Sequence, residues 1–542
     1  MLFIACFLVA MLVAVLAIPV LIRFAAPLGL MDIPNARKVH LKKIPRIGGI
    51  AIVIGSLLPI MIWSELDRPV QAYVLGALCL LCFGIWDDRK ELNYKLKFLG
   101  QIIAVAIFVF YGEVTIQWLP FQGLNTVPIW IGLVITFLAL LGITNAVNLV
   151  DGLDGLAGGT SLLSLGAVAV IAFMAGDTQL VMLTMAVMGG VFGFLRYNTH
   201  PASIFMGDTG SQFLGFSIGV ICVLMTQQSN TALSPVLPLI LLGLPILDTL
   251  TVMTRRILNG RSPFSADKNH FHHRLMKLGF KHYEAVIAIY MVQLGLIVLG
   301  FALKYQSDWI LLLLFLAFCF GFNGLFHYAE STQWRFGNTN LQGKISPYLS
   351  SEAFRRYRTG VSGLIRPFVF ISLPIYLMVC IWGARHVEGM LPIFLGMALM
   401  SCVLLVSPLR SRLSWLNRLV WYTSCGLAVY CSAQTGYIDT IWVQLYILLL
   451  AISVLLSFIL EQDETFSINP LDVIVLVFAG LAFYLSGVST TFSQLGIQVT
   501  QAVLFLYAVE LMLNGKVLHL TVASAALSAI FSVSGLTLLL HT

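Results

Sequence analysis

Between Asn145 and Gly159 the chain reads NAVNLVDGLDGLAGG, so two carboxamides, Asn145 and Asn148, and two carboxylates, Asp151 and Asp154, end an apolar run that begins at Ile131. A buried Asp in such a run costs about 2.5–3.5 kcal/mol on insertion scales, so polar groups here imply a function. Three further stretches carry comparable chemistry. FGIWDDRK ends an apolar segment with the adjacent acids Asp87 and Asp88, which repel one another unless a cation or proton is shared. RYNTHPASIFMGDTGS holds Asn198 and the glycine-flanked Asp208, oxygen donors of the kind Mg²⁺ takes while filling its shell with water and phosphate. SPFSADKNHFHHRL carries His270, His272, His273 and Arg274, a cationic cluster suited to a diphosphate, with Arg as the bidentate donor. Its H-x-H spacing would hold zinc only with further ligands.

The elements that position these groups follow from spacing. Steps of three residues make neighbours on a helix but drift by about 60° each, so Asn145 and Asp154 would face opposite sides of a regular helix. Gly152 and Gly155 therefore predict a break, with backbone N–H groups exposed beside the carboxylates for phosphates and a cation. The loop MDIPNARKVHLKKIPRIGG brings Lys38, His40 and Arg46, with Arg37, Lys42 and Lys43, to the start of the next span, where they would meet an anion at the membrane surface.

A chain of 542 residues that is 59% hydrophobic and only 10% charged lacks the polar surface to cover a soluble globule. Its mean hydropathy of +0.93 agrees. The expected fold is an all-α polytopic integral membrane protein with roughly sixteen to eighteen transmembrane helices. Residues 2–26 lack a basic n-region and a cleavage site and are expected to stay as the first span. The nine cysteines are scattered through apolar runs and are read as packing residues.

The net charge of +7 is not spread evenly. Most of the 31 lysines and arginines fall in segments 27–46, 87–97, 196–210, 254–282, 329–366 and 408–418, which the positive-inside rule makes cytoplasmic. Every motif above then faces one side of one membrane. Paired carboxylates, carboxamides and a His/Arg cluster at such a surface fit phosphoryl chemistry, where a metal and cationic side chains neutralise a diphosphate. Beyond residue 330 the character changes, and the later apolar spans carry no acidic cluster.

With DIPNARKVH and PRIGG, WDD at 86–88, NAVNLVDGLDGLAGG, NTHPASIFMGDTGS and SPFSADKNHFHHRL in this order, the chain resembles the polyprenyl-phosphate N-acetylhexosamine-1-phosphate transferases. That family, glycosyltransferase family 4, also includes the phospho-MurNAc-pentapeptide translocase. The resemblance covers about residues 1–330. It implies a membrane-embedded transferase core at 1–330, while the composition beyond gives a basic cytoplasmic connector at 331–366 and a transmembrane extension of unknown role at 367–542, a departure from the family.

The implied reaction moves an N-acetylhexosamine 1-phosphate from a UDP-sugar to undecaprenyl phosphate, with UMP leaving, to start a cell-envelope polysaccharide. The resemblance makes Asp87, Asp88 and Asp208 the catalytic acids, with Asp208 and Asp87 on Mg²⁺ or its substitute Mn²⁺. It gives Asn145, Asn148, Asp151 and Asp154 to the nucleotide, and His270, His272, His273 and Arg274 to the sugar diphosphate. Asn198, with the basic Lys38, His40 and Arg46, would meet the lipid phosphate. The NHFHHRL form is similar to enzymes that start O-antigen, enterobacterial common antigen or teichoic acid linkage, which favours UDP-GlcNAc and leaves UDP-GalNAc and 6-deoxy sugars open. The implied location is the bacterial inner membrane with the site toward the cytoplasm. The partners expected are the two substrates and membrane lipids, with a homodimer and without nucleic acid. The rival is a nucleotide-sugar or ion transporter, or a transferase fused to a transport or scaffold half. Acids gathered at helix ends rather than at the bilayer midplane weigh against it.

Overall fold

The computed structural model describes residues 2–32, 43–121, 124–229, 232–262, 269–336, 352–383, 414–434, 441–460, 469–488 and 493–513. Lys38 and His40 lie outside these residues. The chain divides into two compact units, Met1–Thr339 with Asn469–Ile474, and Asn340–Ile468 with Val475–Thr542.

The first unit is a helical bundle. Its elements are α1 (Leu2–Ala25), β1 (Met31–Asp32), β2 (Ile44–Pro45), α2 (Gly48–Trp63), α3 (Arg68–Lys90), α4 (Tyr94–Ala106, continued by a π-helical turn to Tyr111), β3 (Trp118–Phe121) and β4 (Leu124–Thr126). There follow α5 (Ile129–Val150), α6 (Leu156–Met174), α7 (Thr178–Asn198), α8 (Gly207–Leu224), α9 (Leu237–Leu241), α10 (Gly243–Leu258), α11 (Phe271–Lys277), α12 (His282–Ala302) and α13 (Asp308–Ser331). Two short antiparallel ladders, β1–β2 and β3–β4, are additions to the all-α expectation, and both lie between spans.

Local chemistry sets the helix ends. Asp67 caps α3 by accepting the Val70 N–H, Asn93 caps α4 by accepting the Leu96 N–H, and Asp177 caps α7 by accepting the Leu180 N–H. Ten described helices are long and apolar enough to cross a membrane, so the chain is a polytopic helical membrane protein. Polar side chains inside these spans are satisfied locally: Thr136, Thr144, Thr160 and Thr184 each donate to the carbonyl four residues earlier.

The centre of the bundle is α8, which packs against α2, α3, α5, α6 and α7 and is buried from Thr209 to Leu224. Small residues make the close packing possible. A Cβ on Gly49 at the start of α2 would stand 2.2 Å from the Gly210 nitrogen in the first turn of α8. The Tyr73 and Ser217 hydroxyls, 2.9 Å apart, join α3 to α8.

In the second unit, the helices Glu352–Gly383, Ser414–Gln434, Ile441–Leu460 and Ser493–Leu513 bury a core that includes Leu373, Leu377, Trp421, Phe505 and Val509. Residues 352–366, expected within a connector, are the first turns of the helix that runs on to Gly383.

Candidate active site

The segment before α8 is laced to the basic loop. Phe205 N–H donates to the Pro45 carbonyl at 2.8 Å, and the Gly48 and Gly49 N–H groups donate to the Phe205 and Met206 carbonyls at 2.9 and 2.8 Å. PRIGG therefore braces the turn that presents GDTG. Arg46, expected at the lipid phosphate, pairs with Asp32 and stands 3.9 Å from Glu91.

Asp88 closes the N-terminus of α8. Its Oδ1 accepts the Asp208 N–H at 2.9 Å, and its Oδ2 accepts the Thr209 N–H at 3.1 Å and the Thr209 hydroxyl at 2.6 Å. These are orphan donors of a helix start, where a carboxylate is also favoured by the helix dipole. Gly207 has φ +71°, and a Cβ there would stand 2.6 Å from an Asp88 oxygen, so only glycine suits the approach.

Asp87, one residue back and about 100° around α3, points elsewhere. Its Oδ1 accepts the Leu92 N–H at 2.7 Å, and its Oδ2 lies 2.6 Å from Lys97 Nζ. The same ammonium is 2.9 Å from Asp208 Oδ2. Lys97 thus bridges the two carboxylates, while Asp208 Oδ1 accepts from Asn148 Nδ2 at 2.7 Å. Asn148 also donates to Ser211 Oγ at 2.7 Å. Asn145, one helical step earlier, donates to Gln101 at 2.8 Å and to the Leu141 carbonyl, and Gln101 donates on to Gln212.

The expected break is present: α5 stops at Val150, Gly155 takes φ +80°, and α6 starts at Leu156. Of the backbone donors expected there, four are already taken within the protein. Asp151 and Gly152 N–H bond back into α5, Asp154 N–H donates to His282 Nε2 at 3.3 Å, and Gly155 N–H donates to Asn198 Oδ1 at 2.9 Å. Asn198 completes a strut by donating to the Ile204 carbonyl at 2.9 Å, so it ties α6 to the turn before α8.

The two acids of the break diverge, as the helical drift requires. Asp151 faces the Asp88–Asp208 side. Removal from water first, then the charges of Asp208, Asp88 and Asp154, push its carboxyl up to about 7. Asp154 faces away, with Oδ2 2.7 Å from His200 Nδ1 and 3.1 Å from the Ala202 nitrogen. Of the four carboxylates Asp87, Asp88, Asp151 and Asp208, Lys97 bridges Asp87 and Asp208, so among the described residues acidic groups outnumber the cations that contact them, a balance that would suit a cation.

The histidine cluster divides its work. His270 Nδ1 lies 2.9 Å from Asp248 Oδ2, whose partner oxygen accepts the Phe271 N–H at 2.8 Å, so Asp248 anchors the start of α11. His272 stacks on His270 with ring centres 5.7 Å apart and packs on Gly152, where a Cβ would come within 2.4 Å of its ring. It is the member that reaches the α5–α6 break. Burial, then the neighbouring His273, His270 and His282, hold its pKa down at about 3. His273 stands beside it, ring centres 4.2 Å apart. Arg274 is directed at α13: its Nε donates to Glu330 at 2.7 Å and its guanidinium lies 4.4 Å over Phe326. The structure thus gathers Asp87, Asp88, Asp208, Asn145, Asn148 and Asp151 into one network with His272 at its edge. Asp154, Asn198, Arg46, His270 and Arg274 form supporting contacts around it.

Sequence reasoning misses Lys97, Gln101 and Asp248. Lys97 and Gln101 are polar positions four apart on one helix face, and Asp248 is a lone acid in the apolar run LPILDTLTV. The reasoning applied to Asn145–Asp154 would have marked each of them.

Residues 70–226 match the family model described as glycosyl transferase family 4. A probable undecaprenyl-phosphate N-acetylglucosaminyl 1-phosphate transferase of Bacillus subtilis strain 168 is 40% identical over 310 residues, which are 56% of this chain and 86% of the relative. The chain belongs to glycosyl transferase family 4. Other family members agree: the undecaprenyl-phosphate alpha-N-acetylglucosaminyl 1-phosphate transferase of Escherichia coli K12 is 30% identical over 322 residues, 58% of this chain and 87% of that one. The decaprenyl-phosphate N-acetylglucosaminephosphotransferase of Mycolicibacterium smegmatis is 33% identical over 305 residues, 51% and 75% of the two chains. Each of these matches takes little more than half of this chain.

Proposed function

We propose that this protein transfers N-acetylglucosamine 1-phosphate from UDP-GlcNAc to undecaprenyl phosphate, releasing UMP and leaving a lipid diphosphate sugar. An oxygen of the lipid phosphate bonds to the sugar-bearing phosphorus, and the bond from that phosphorus to the UMP oxygen breaks. The observation that carries this reading is the Asp87–Lys97–Asp208 bridge at helix ends, with Asn148 on Asp208 and Asp151 beside it. The names of the family relatives support the polyprenyl phosphate acceptor and the N-acetylglucosamine 1-phosphate group.

Asp208, Asp87 and Asp151 would hold Mg²⁺, with Mn²⁺ as substitute, because hard oxygen donors in surplus over local positive charge fit that ion. When bound, such an ion would supply charge neutralisation for the phosphates. Lys97 keeps the Asp87 and Asp208 carboxylates a fixed distance apart and offers a second positive charge to the phosphates. Asp88 orients Asp208 through its backbone, and Asn148 fixes its other oxygen. His272, neutral at working pH, donates a hydrogen bond toward the sugar diphosphate from the rim of the α5–α6 break.

The reading includes a bacterial inner-membrane location with the site toward the cytoplasm, supported by the one-sided basic charge. It also keeps roughly sixteen to eighteen spans for the whole chain, a number that rests on the apolar runs of the sequence, since four shorter apolar helices bring the ten among the described residues only to fourteen, and a homodimer as its assembly. The transporter alternative is not favoured, because the acids are committed to one another at helix ends. Mass spectrometry of the extracted lipid product tests the reading: a lipid diphosphate GlcNAc is expected, and an unchanged undecaprenyl phosphate would contradict it.

A further inference from the structure

We propose that Asp154, His200 and His282 form a second metal site, selective for Zn²⁺ and separate from the Asp87–Asp208 cluster. The three residues come from the α5–α6 break, the turn after α7 and the first position of α12. One ligand atom from each lies within 4.8 Å of the others. His200 Nδ1 is 2.7 Å and His282 Nε2 is 4.0 Å from the same oxygen, Asp154 Oδ2. Two imidazoles and one carboxylate are the donor set of a three-ligand zinc site whose fourth position takes water or an anion. Bond lengths of about 2.0–2.1 Å place tetrahedral donors about 3.3 Å apart, between the two distances found here.

Proton positions are consistent with this assignment. His282 Nε2 accepts the Asp154 N–H, so that nitrogen carries a lone pair inside the cluster. His200 Nδ1 lies within hydrogen-bond distance of Asp154 Oδ2, and an ion there would take the ring as its Nε2–H tautomer, with the Nδ1 lone pair turned to the metal. The two rings are stacked at 4.2 Å and 21°, so they must turn for both lone pairs to converge. His200, with 44% of its side chain exposed, has the freedom to do so. Mg²⁺ is disfavoured by the two nitrogen donors, which is what distinguishes this site from the all-oxygen cluster on the other side of the break. A bound ion would tie three segments distant in sequence into one piece and fix the loop that carries Asp151.

Untagged full-length protein in detergent, stripped with a chelator and kept in excess Mg²⁺, provides the test by equilibrium dialysis against Zn²⁺. One equivalent is expected in wild type and in Asp208→Asn, with affinity at least tenfold weaker in His200→Gln and His282→Gln. Co²⁺ in the wild-type protein should show the intense visible absorption of tetrahedral coordination, a reading that needs no variant to fold. No stoichiometric uptake, uptake unchanged in both histidine variants, or a weak octahedral Co²⁺ spectrum would each overturn the proposal.

Discussion

Asp88 does not face the same partner as its neighbour Asp87: its carboxylate receives the backbone N–H of Asp208 at 2.9 Å and thereby fixes the first turn of α8. Two adjacent acids, indistinguishable by type, are divided between positioning and direct contact with the charged centre.

That division has a measurable consequence. Asp88→Asn replaces one acceptor oxygen by a donor amide facing the Thr209 N–H and hydroxyl, and should cost about 1–3 kcal/mol of stability together with a loss of turnover. Asp87→Asn should leave thermal stability near wild type while losing turnover. Equal melting shifts in the two variants would remove the distinction.

Asp208→Asn and Asp87→Asn should each lower turnover a hundredfold or more, about 2.7 kcal/mol in barrier, with expression unchanged. Steady-state UMP release measures this, and a wild-type rate in either variant would take that carboxylate out of the chemistry.

Lys97 holds Asp87 and Asp208 at 2.6 and 2.9 Å. Lys97→Met removes the competing positive charge, so the Mg²⁺ concentration for half-maximal rate should fall while the maximal rate drops tenfold or more. A titration of rate against Mg²⁺ checks both. An unchanged maximal rate would make Lys97 a resting-state counter-ion only.

His272 is neutral in the fold, with its pKa held near 3 by burial and by the other histidines. The unfolded chain binds a proton to this residue below about 6.5, so its contribution to stability is complete above that pH and declines as pH falls toward 3. Thermal melting across that interval should slope downward toward acid, and His272→Gln should flatten the slope. It should also weaken use of the nucleotide sugar.

How much of this was legible in the sequence depends on what fixed each residue. The break after Val150 follows from Gly152 and Gly155, and the divergence of Asp151 from Asp154 follows from helical drift. The apolar runs place most spans of the first unit, and Asp208 stands out between two glycines. What pairs with what was not legible, because it depends on packing between segments far apart in sequence. PRIGG, with its basic character, suggests an anion loop, yet Arg46 is taken by Asp32 and the glycines serve to admit α8. Asn198, expected as a ligand, also serves as a strut, since its Oδ1 accepts from the α6 start and one Nδ2–H donates to the Ile204 carbonyl. Arg274, expected as a phosphate clamp, is oriented through its Nε by Glu330 and over Phe326, partners that sit more than fifty residues later, while its Nη1 and Nη2 keep no hydrogen-bond partner among the described residues.

The most direct measurement is UMP release by purified protein supplied with undecaprenyl phosphate, UDP-GlcNAc and Mg²⁺, beside reactions lacking lipid or metal. UMP formed only in the complete mixture is the predicted result. UMP that appears without lipid, or none from UDP-GlcNAc, UDP-GalNAc and the deoxy sugars alike, would contradict the transferase account.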